Sequence, residues 1–367
     1  MSDTSAERAS TLTIDLSAIA DNWRLLARRA GSAECGAVVK ADAYGCGIEQ
    51  VVPALHSAGC HTFFVAHLDE ARRARAASHE ATIYVLNGLL PGTAPVYHAI
   101  TARPVLGCAE DLREWLDHGR GQFCAVHVDT GMNRLGFSLD EAVRIRSDGG
   151  FAELSVSLAM THLTSSEAPS DPANIRQVNA FSRVAELFPD TRKSLLNSSG
   201  HFLETAPTYQ LTRPGYALYG GNPTPGEPNP MKPVVRLTSR ILQTRVAPDG
   251  TAVGYNGRWH AKGRRKLATI GLGYADGWPR NASYTDLLPG GHAMVGGVKC
   301  PFAGTVSMDL IIVDVSDAPA GSAERGSEVV LIGDGIDLDE AGASAKTIGY
   351  EMLTNLGRRY HRAYLGG

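Results

Sequence analysis

No two of the six cysteines (Cys35, Cys46, Cys60, Cys108, Cys124 and Cys300) form a C-x-x-C pair. That scatter gives no disulfide framework and no zinc-ligand spacing, so no structural metal is expected. No apolar run is long enough to cross a bilayer. An excess of either charge is also lacking. The formal net charge of −3 leaves no electrostatic footprint for nucleic acid or for an anionic membrane surface. The opening MSDTSAERAS lacks the basic-then-apolar pattern of a secretory leader, and the expectation is a cytoplasmic protein. Internal repeats and low-complexity segments are absent too.

The 367 residues, 43% hydrophobic and 20% charged, suit a globular protein of two domains, each able to bury a core. DLSAIADNWRLLARRAG reads as a helix: Ile19, Trp23 and Leu26 share a face, Asp15 or Ser17 can cap its start and Gly31 its end. Eight short apolar runs follow: CGAVVKA, TFFVA, TIYVL, ARPVL, QFCAVHVD, VSLAMTH, SLLNSS and YQLTRPG. Segments of helical period such as LDEARRARAA and PANIRQVNAFSRVAEL lie between them. Eight strand–helix alternations predict a (β/α)8 TIM-like barrel, and no G-x-G-x-x-G follows the first strand to favour a dinucleotide-binding sheet. GGNPTPGEPNPMKPVV, residues 220–235, is dense in proline and glycine and marks a boundary. Beyond it the chain is strand-rich, which predicts a mainly antiparallel β domain closed by a helical segment near EAGASAKTIGYEMLTNLGRRY. The expected division is 11–232 for the barrel, with residues 11–15 as a short strand packed on the β domain, and 233–367 for the β domain.

Within AVVKADAYGCG, Lys40 ends an apolar run that reads as a buried strand. A buried lysine is costly unless it is paired or uncharged. One resolution is a lysine snorkelling out at a strand end. Another is a desolvated amine that bonds covalently to a carbonyl cofactor. The other expected strand ends carry Asp129 and Arg134, His162, Asn197 and Ser198, and Arg213 with Gly215. Reactive groups of a (β/α)8 barrel gather at that rim, and the loops after strands seven and eight often bind phosphate. NSSG and RPGY suit that role because small residues let the backbone approach an anion, and Tyr44 can add a hydroxyl. A lysine on strand one facing a phosphate cradle describes a pyridoxal 5′-phosphate site.

AVVKADAYGCG, VDTGMNRLGF, MTHL, NSSG, RPGYALYG, VGYNGR, GLGYADG and AGTVSMDL, in that order, resemble the motif series of bacterial alanine racemases, fold-type III pyridoxal phosphate enzymes. The resemblance spans nearly the whole chain. It implies racemisation of alanine by two bases, supplying D-alanine for peptidoglycan or serving alanine catabolism. Lys40 would bind the cofactor and act on one face of the substrate, and Tyr255, in a glycine-flanked turn, on the other. Arg134 and the backbone N–H of Met308 would hold the substrate carboxylate. Tyr44, His162, Asn197, Ser198, Arg213, Gly215 and Tyr216 would hold the cofactor. Arg213 would face the pyridine nitrogen and leave it unprotonated. Tyr274 and Asp309 would shape the entrance. The family implies a head-to-tail homodimer in which each site takes Tyr255 and Met308 from the partner.

Three departures stand out. Many members carry a carbamylated lysine where this chain has His127, so Arg134 needs another means of support. LTSSEAP follows His162 in place of the family's F-A-x-A-D-like run, and Arg358 falls where some members supply a phosphate-binding tyrosine. The competing functions are a racemase of serine or a larger amino acid, a related decarboxylase and a non-catalytic pyridoxal phosphate carrier. Arg213 speaks against the decarboxylase, which would want an acidic partner there, and Tyr255 against the carrier, which needs no second base.

Overall fold

A computed structural model of the chain describes residues 7–119 and 121–366. Two compact units emerge: Ile19–Lys232, and Pro233 onward together with the N-terminal residues up to Ala18. The first helix, Leu16–Ala30, begins where the Asp15 carboxylate accepts the Ala18 N–H at 2.9 Å and ends at Gly31, with φ of +66°.

The first unit is a ring of parallel strands. Ala37–Val38, Thr62–Val65, Thr82–Val85, Arg103–Leu106, Phe123–Asp129, Ser155–Met160 and Arg192–Ser194 pair in sequence. Glu34–Cys35, continuous with the first of these across Gly36, pairs in parallel with Leu211–Thr212. The Arg213 N–H donates to the Leu196 carbonyl at 2.9 Å and joins that last strand to the seventh. The result is the expected TIM-like barrel. Gly36 fits because a Cβ there would lie 3.0 Å from the Thr62 carbonyl oxygen. Phe63, Phe64, Val126, Val128, Leu158 and Ala159 are fully buried in the strands. Full burial of a side chain of this size stabilises by about 1.5–3 kcal/mol.

The alternation is less regular than the sequence suggests. Strands seven and eight are followed by 3₁₀ turns, Ser199–Phe202 and Tyr216–Tyr219, because NSSG and RPGY cannot sustain an α-helix. Strand one stops at Val38, two residues before Lys40. From Ala41 to Tyr44 the chain makes one left-handed turn, with φ of 51°, 56°, 53° and 53°. Each such residue bearing a Cβ costs roughly 1–2 kcal/mol, so neighbouring contacts must hold this turn.

In the second unit the long strand Val235–Ala247 pairs antiparallel with Ser10–Asp15, Arg265–Ile270 and Glu328–Ile332. Val253, Trp259, Leu267 and Ala303 form a core patch there. The expected terminal helix is two short ones, Leu338–Ser344 and Gly349–Thr354, and the last element is a strand, His361–Leu365, parallel to Ser10–Asp15. Four half-buried residues and one exposed residue carry too weak an alternation to announce that strand. Among the described residues no helix is long and apolar enough to cross a membrane.

Candidate active site

Lys40 opens the left-handed turn. Its half-buried amine is held below the usual lysine range, first by burial and then by the charge of Arg134, while Glu70 pulls the other way. An amine of lowered basicity is a better nucleophile toward a carbonyl at neutral pH. Tyr44, at the far end of the turn, is buried and stacks on Tyr219 with ring centroids 4.6 Å apart. The Tyr219 hydroxyl donates to the Val38 carbonyl at 3.0 Å and locks the pair to strand one. The Tyr44 hydroxyl lies against Gly215, where a Cβ would meet it at 2.5 Å.

Across the rim, the Ser198 hydroxyl oxygen accepts the N–H groups of Gly215 at 2.9 Å and Ala217 at 3.2 Å. This ties the loops after strands seven and eight together around a cluster of backbone donors. Asn197 stands beside it, its Oδ1 accepting from the Gly200 N–H and the Ser166 hydroxyl, both at 2.9 Å. Tyr216 is buried in the following 3₁₀ turn.

Arg213 is 4% exposed. Its guanidinium donates to the Ser194 hydroxyl and the Thr161 carbonyl and lies 5.9 Å from the Phe64 ring centroid. Among the described residues no carboxylate pairs with it, and burial pulls it down to about 9. His162 is lowered to about 3 by burial and then by Arg213 and Arg134, and His127 to about 4 by burial and then by Arg213. Both imidazoles are therefore neutral at pH 7, and His127 brings no charge to Arg134. Arg134 itself is exposed, and among the described residues its guanidinium meets no acceptor. What shapes its loop is Asp129. The Asp129 carboxylate accepts the N–H groups of Gly131, Met132 and Asn133 at 2.8, 2.7 and 2.6 Å.

The remaining candidates belong to the β unit. Tyr255 is 66% exposed in a 3₁₀ turn entered through Gly254 at φ of +72°. It borders a cavity of about 700 Å³ that Val253, Thr269, Thr305 and Leu310 help to line. The segments bearing Tyr274 and Met308 lie back to back: Tyr274 N–H donates to Ser307 O at 3.0 Å and Ala275 N–H to Met308 O at 2.9 Å. Gly273 permits this, since a Cβ there would fall 2.4 Å from both carbonyl oxygens. Among the described residues no protein acceptor takes the Met308 N–H. Arg359 bridges Asp309 at 2.8 Å and the buried Asp276 at 3.2 Å. Arg358 contributes its carbonyl to Arg8 at 3.1 Å.

Residues 14–223 match the model of the alanine racemase N-terminal domain and residues 234–364 that of the C-terminal domain. The chain belongs to the alanine racemase family. An alanine racemase from Methylobacterium sp. (strain 4-46) is 56% identical over 96% of this chain and 97% of its own length. A relative from Agrobacterium fabrum named as a catabolic alanine racemase is 44% identical over 96% of this chain and 92% of its own. The family's fold is the same: a crystal structure of alanine racemase from Bartonella henselae with covalently bound pyridoxal phosphate superposes with a TM-score of 0.91. It is 36% identical and covers 97% of this chain and 99% of that one.

Two supporting residues escape a reading of strand ends. Gln177 is 2% exposed. It accepts from the Thr164 N–H at 2.8 Å and donates to the His162 carbonyl at 2.9 Å and the Thr130 hydroxyl at 3.2 Å, binding the loops after strands five and six. Its signal was available: Asn174, Gln177, Phe181 and Val184 share a helical face, and two amides continue an apolar stripe. Glu70, 7% exposed, is the other.

Proposed function

We propose that the protein interconverts L-alanine and D-alanine with pyridoxal 5′-phosphate held covalently on Lys40. The observation that carries this reading is the half-buried, weakened amine of Lys40 at the head of a turn whose Tyr44 hydroxyl abuts Gly215. The residues fit both ends of that cofactor. The Ser198 hydroxyl oxygen accepts from Gly215 and Ala217, so its own proton is left to donate to a phosphate, and the missing Cβ of Gly215 leaves the backbone approachable. Asn197, Tyr216 and the neutral His162 complete the holding set. Arg213 offers only donors and no carboxylate, so it would leave a pyridine nitrogen held against it unprotonated.

Bound there, pyridoxal phosphate supplies an electron sink that makes the α-proton of an amino acid removable. Lys40 would move that proton on one face of the α-carbon. Tyr255 moves it on the other. Arg134, with five donors in a planar fork, and the free Met308 N–H hold the substrate carboxylate. Tyr274 and Asp309 frame the entrance, the latter braced by Arg359. His127, neutral and 9% exposed, packs beneath the Arg134 loop, where Gly136 leaves room for its ring.

The reading extends to a head-to-tail homodimer in which each site takes Tyr255 and Met308 from a partner. Its support is that both residues are exposed on the unit that lacks Lys40, 66% and 53%. None of the six cysteines forms a disulfide, which suits the reducing cytoplasm. The product would feed peptidoglycan or the enzyme would serve alanine catabolism. The test is alanine exchange in deuterated water. Wild type should racemise with α-deuterium incorporation and Lys40→Ala should be dead. Tyr255→Phe should lose interconversion while still exchanging one enantiomer. Wild-type protein that binds the cofactor yet exchanges no alanine α-proton would sink the substrate assignment.

A further inference from the structure

The left-handed turn after Lys40 is held from one helix. In Leu68–Ala77, Glu70 and Arg73 are three residues apart and so share a face. The Glu70 carboxylate accepts the Ala41 N–H at 2.6 Å through Oε1, and the N–H groups of Ala66 and His67 at 2.8 and 3.2 Å through Oε2. Ala41 directly follows Lys40 and is the first residue of the turn with positive φ. Arg73 takes hold further along, donating to Asp42 and, at 2.6 Å, to Glu49. Asp42 also accepts the Ile48 N–H at 3.1 Å, which starts the next helix. Three backbone donors converging on one buried side chain call for a group that only accepts, and an ionised carboxylate is that group.

We propose that Glu70 is a positioning residue for Lys40, its carboxylate clamping the backbone at Ala41 so that the lysine leaves the barrel rim in one fixed direction. This rests on Lys40 being the cofactor-bearing lysine. The clamp has an electrostatic side. The charges acting on the Lys40 amine are Arg134, which weakens its basicity, and Glu70, which restores it; His162 nearby is neutral. Around the turn itself stand Asp42, Glu49, Arg73 and His67, and the first three are joined to one another. Glu70 therefore fixes the direction of the lysine and, after burial and Arg134, partly offsets the loss of its basicity.

Glu70→Gln removes the charge at nearly constant shape and turns donors toward one of the N–H sets. Glu70→Asp keeps the charge but falls one methylene short of Ala41. Lys40 is labelled with an amine-acetylating reagent across pH in the cofactor-free full-length chain, with peptide mass spectrometry as the readout. In Glu70→Gln the labelling midpoint moves to lower pH. In Glu70→Asp it stays near wild type. In the holoenzymes both variants lose kcat, on the order of 100-fold for a reacting group displaced by about 1 Å, with KM little changed. A wild-type midpoint and wild-type kcat in Glu70→Gln overturn the proposal, as does a loss of thermal stability alone. Should Glu70→Gln fail to fold, wild-type kcat in Glu70→Asp overturns it. The two failures separate: Lys40→Ala that still racemises alanine sinks the cofactor reading, whereas the labelling midpoint is read with no cofactor present.

Discussion

Gly215→Ala offers a sharp test of how the rim is packed. The added Cβ would lie 2.5 Å from the Tyr44 hydroxyl oxygen, and since ordinary contact begins at 3.4 Å the ring would have to retreat by about 0.9 Å. It has nowhere to go. Tyr44 is pressed against the fully buried Tyr219, and Tyr219 is hydrogen-bonded to strand one. The φ of −130° at Gly215 is outside the left-handed region, and the double-mutant cycle isolates the part of the cost that comes from the contact with Tyr44. Overpacking of this kind costs about 1–3 kcal/mol. For a unit of this size each kcal/mol lowers the melting temperature by roughly 2–4 °C, so the expected drop is roughly 2–12 °C. The decisive comparison is a double-mutant cycle with Tyr44→Phe, followed by chemical denaturation. Removing the hydroxyl moves the nearest Tyr44 atom out to 3.2 Å, so Gly215→Ala should cost less in the phenylalanine background. A coupling of about 1 kcal/mol is expected for such touching groups. Additive effects would refute the spatial account and place the cost of alanine elsewhere in the loop.

Stability should also depend on acid in a definite direction. Burial holds His127 and His201 near 4, below the 6.5 of an unfolded histidine, so the unfolded chain binds more protons in between. As pH falls from about 6.5 to about 4 each should remove about 1.4 kcal/mol per pH unit, and none above that window. Urea melts across this range check it, and His201→Asn should flatten the slope. In the β unit, Gly273→Ala would press a methyl onto two backbone carbonyls that cannot swing aside, displacing the Met308 N–H. A rise in KM for alanine with the fold intact by circular dichroism is expected, and an unchanged KM would detach Met308 from substrate binding.

The barrel was legible because its strands are short apolar runs separated by amphipathic helices, a contrast of period that needs no tertiary information. Lys40 was legible as an anomaly, a charge at the end of a buried run. Its geometry was not. Four consecutive left-handed residues without glycine contradict local preference, and only Glu70 and Arg73, some thirty residues on, explain them. Glu70 was hidden because His67, the residue before its helix, is a poor capping type, so no capping box announced itself. The two-residue strand Leu211–Thr212 and the strand His361–Leu365 exist through their partners rather than through any pattern of their own.

That last strand has a consequence for how the protein is made. Ser10–Asp15 lies between Val235–Ala247 on one side and His361–Leu365 on the other. An emerging chain therefore exposes this segment before either of its two neighbours has been translated. The barrel residues can close while this segment waits unpaired. The β sheet, by contrast, is sealed only once His361–Leu365 has been made, and loss of that strand would leave Ser10–Asp15 paired on one side alone.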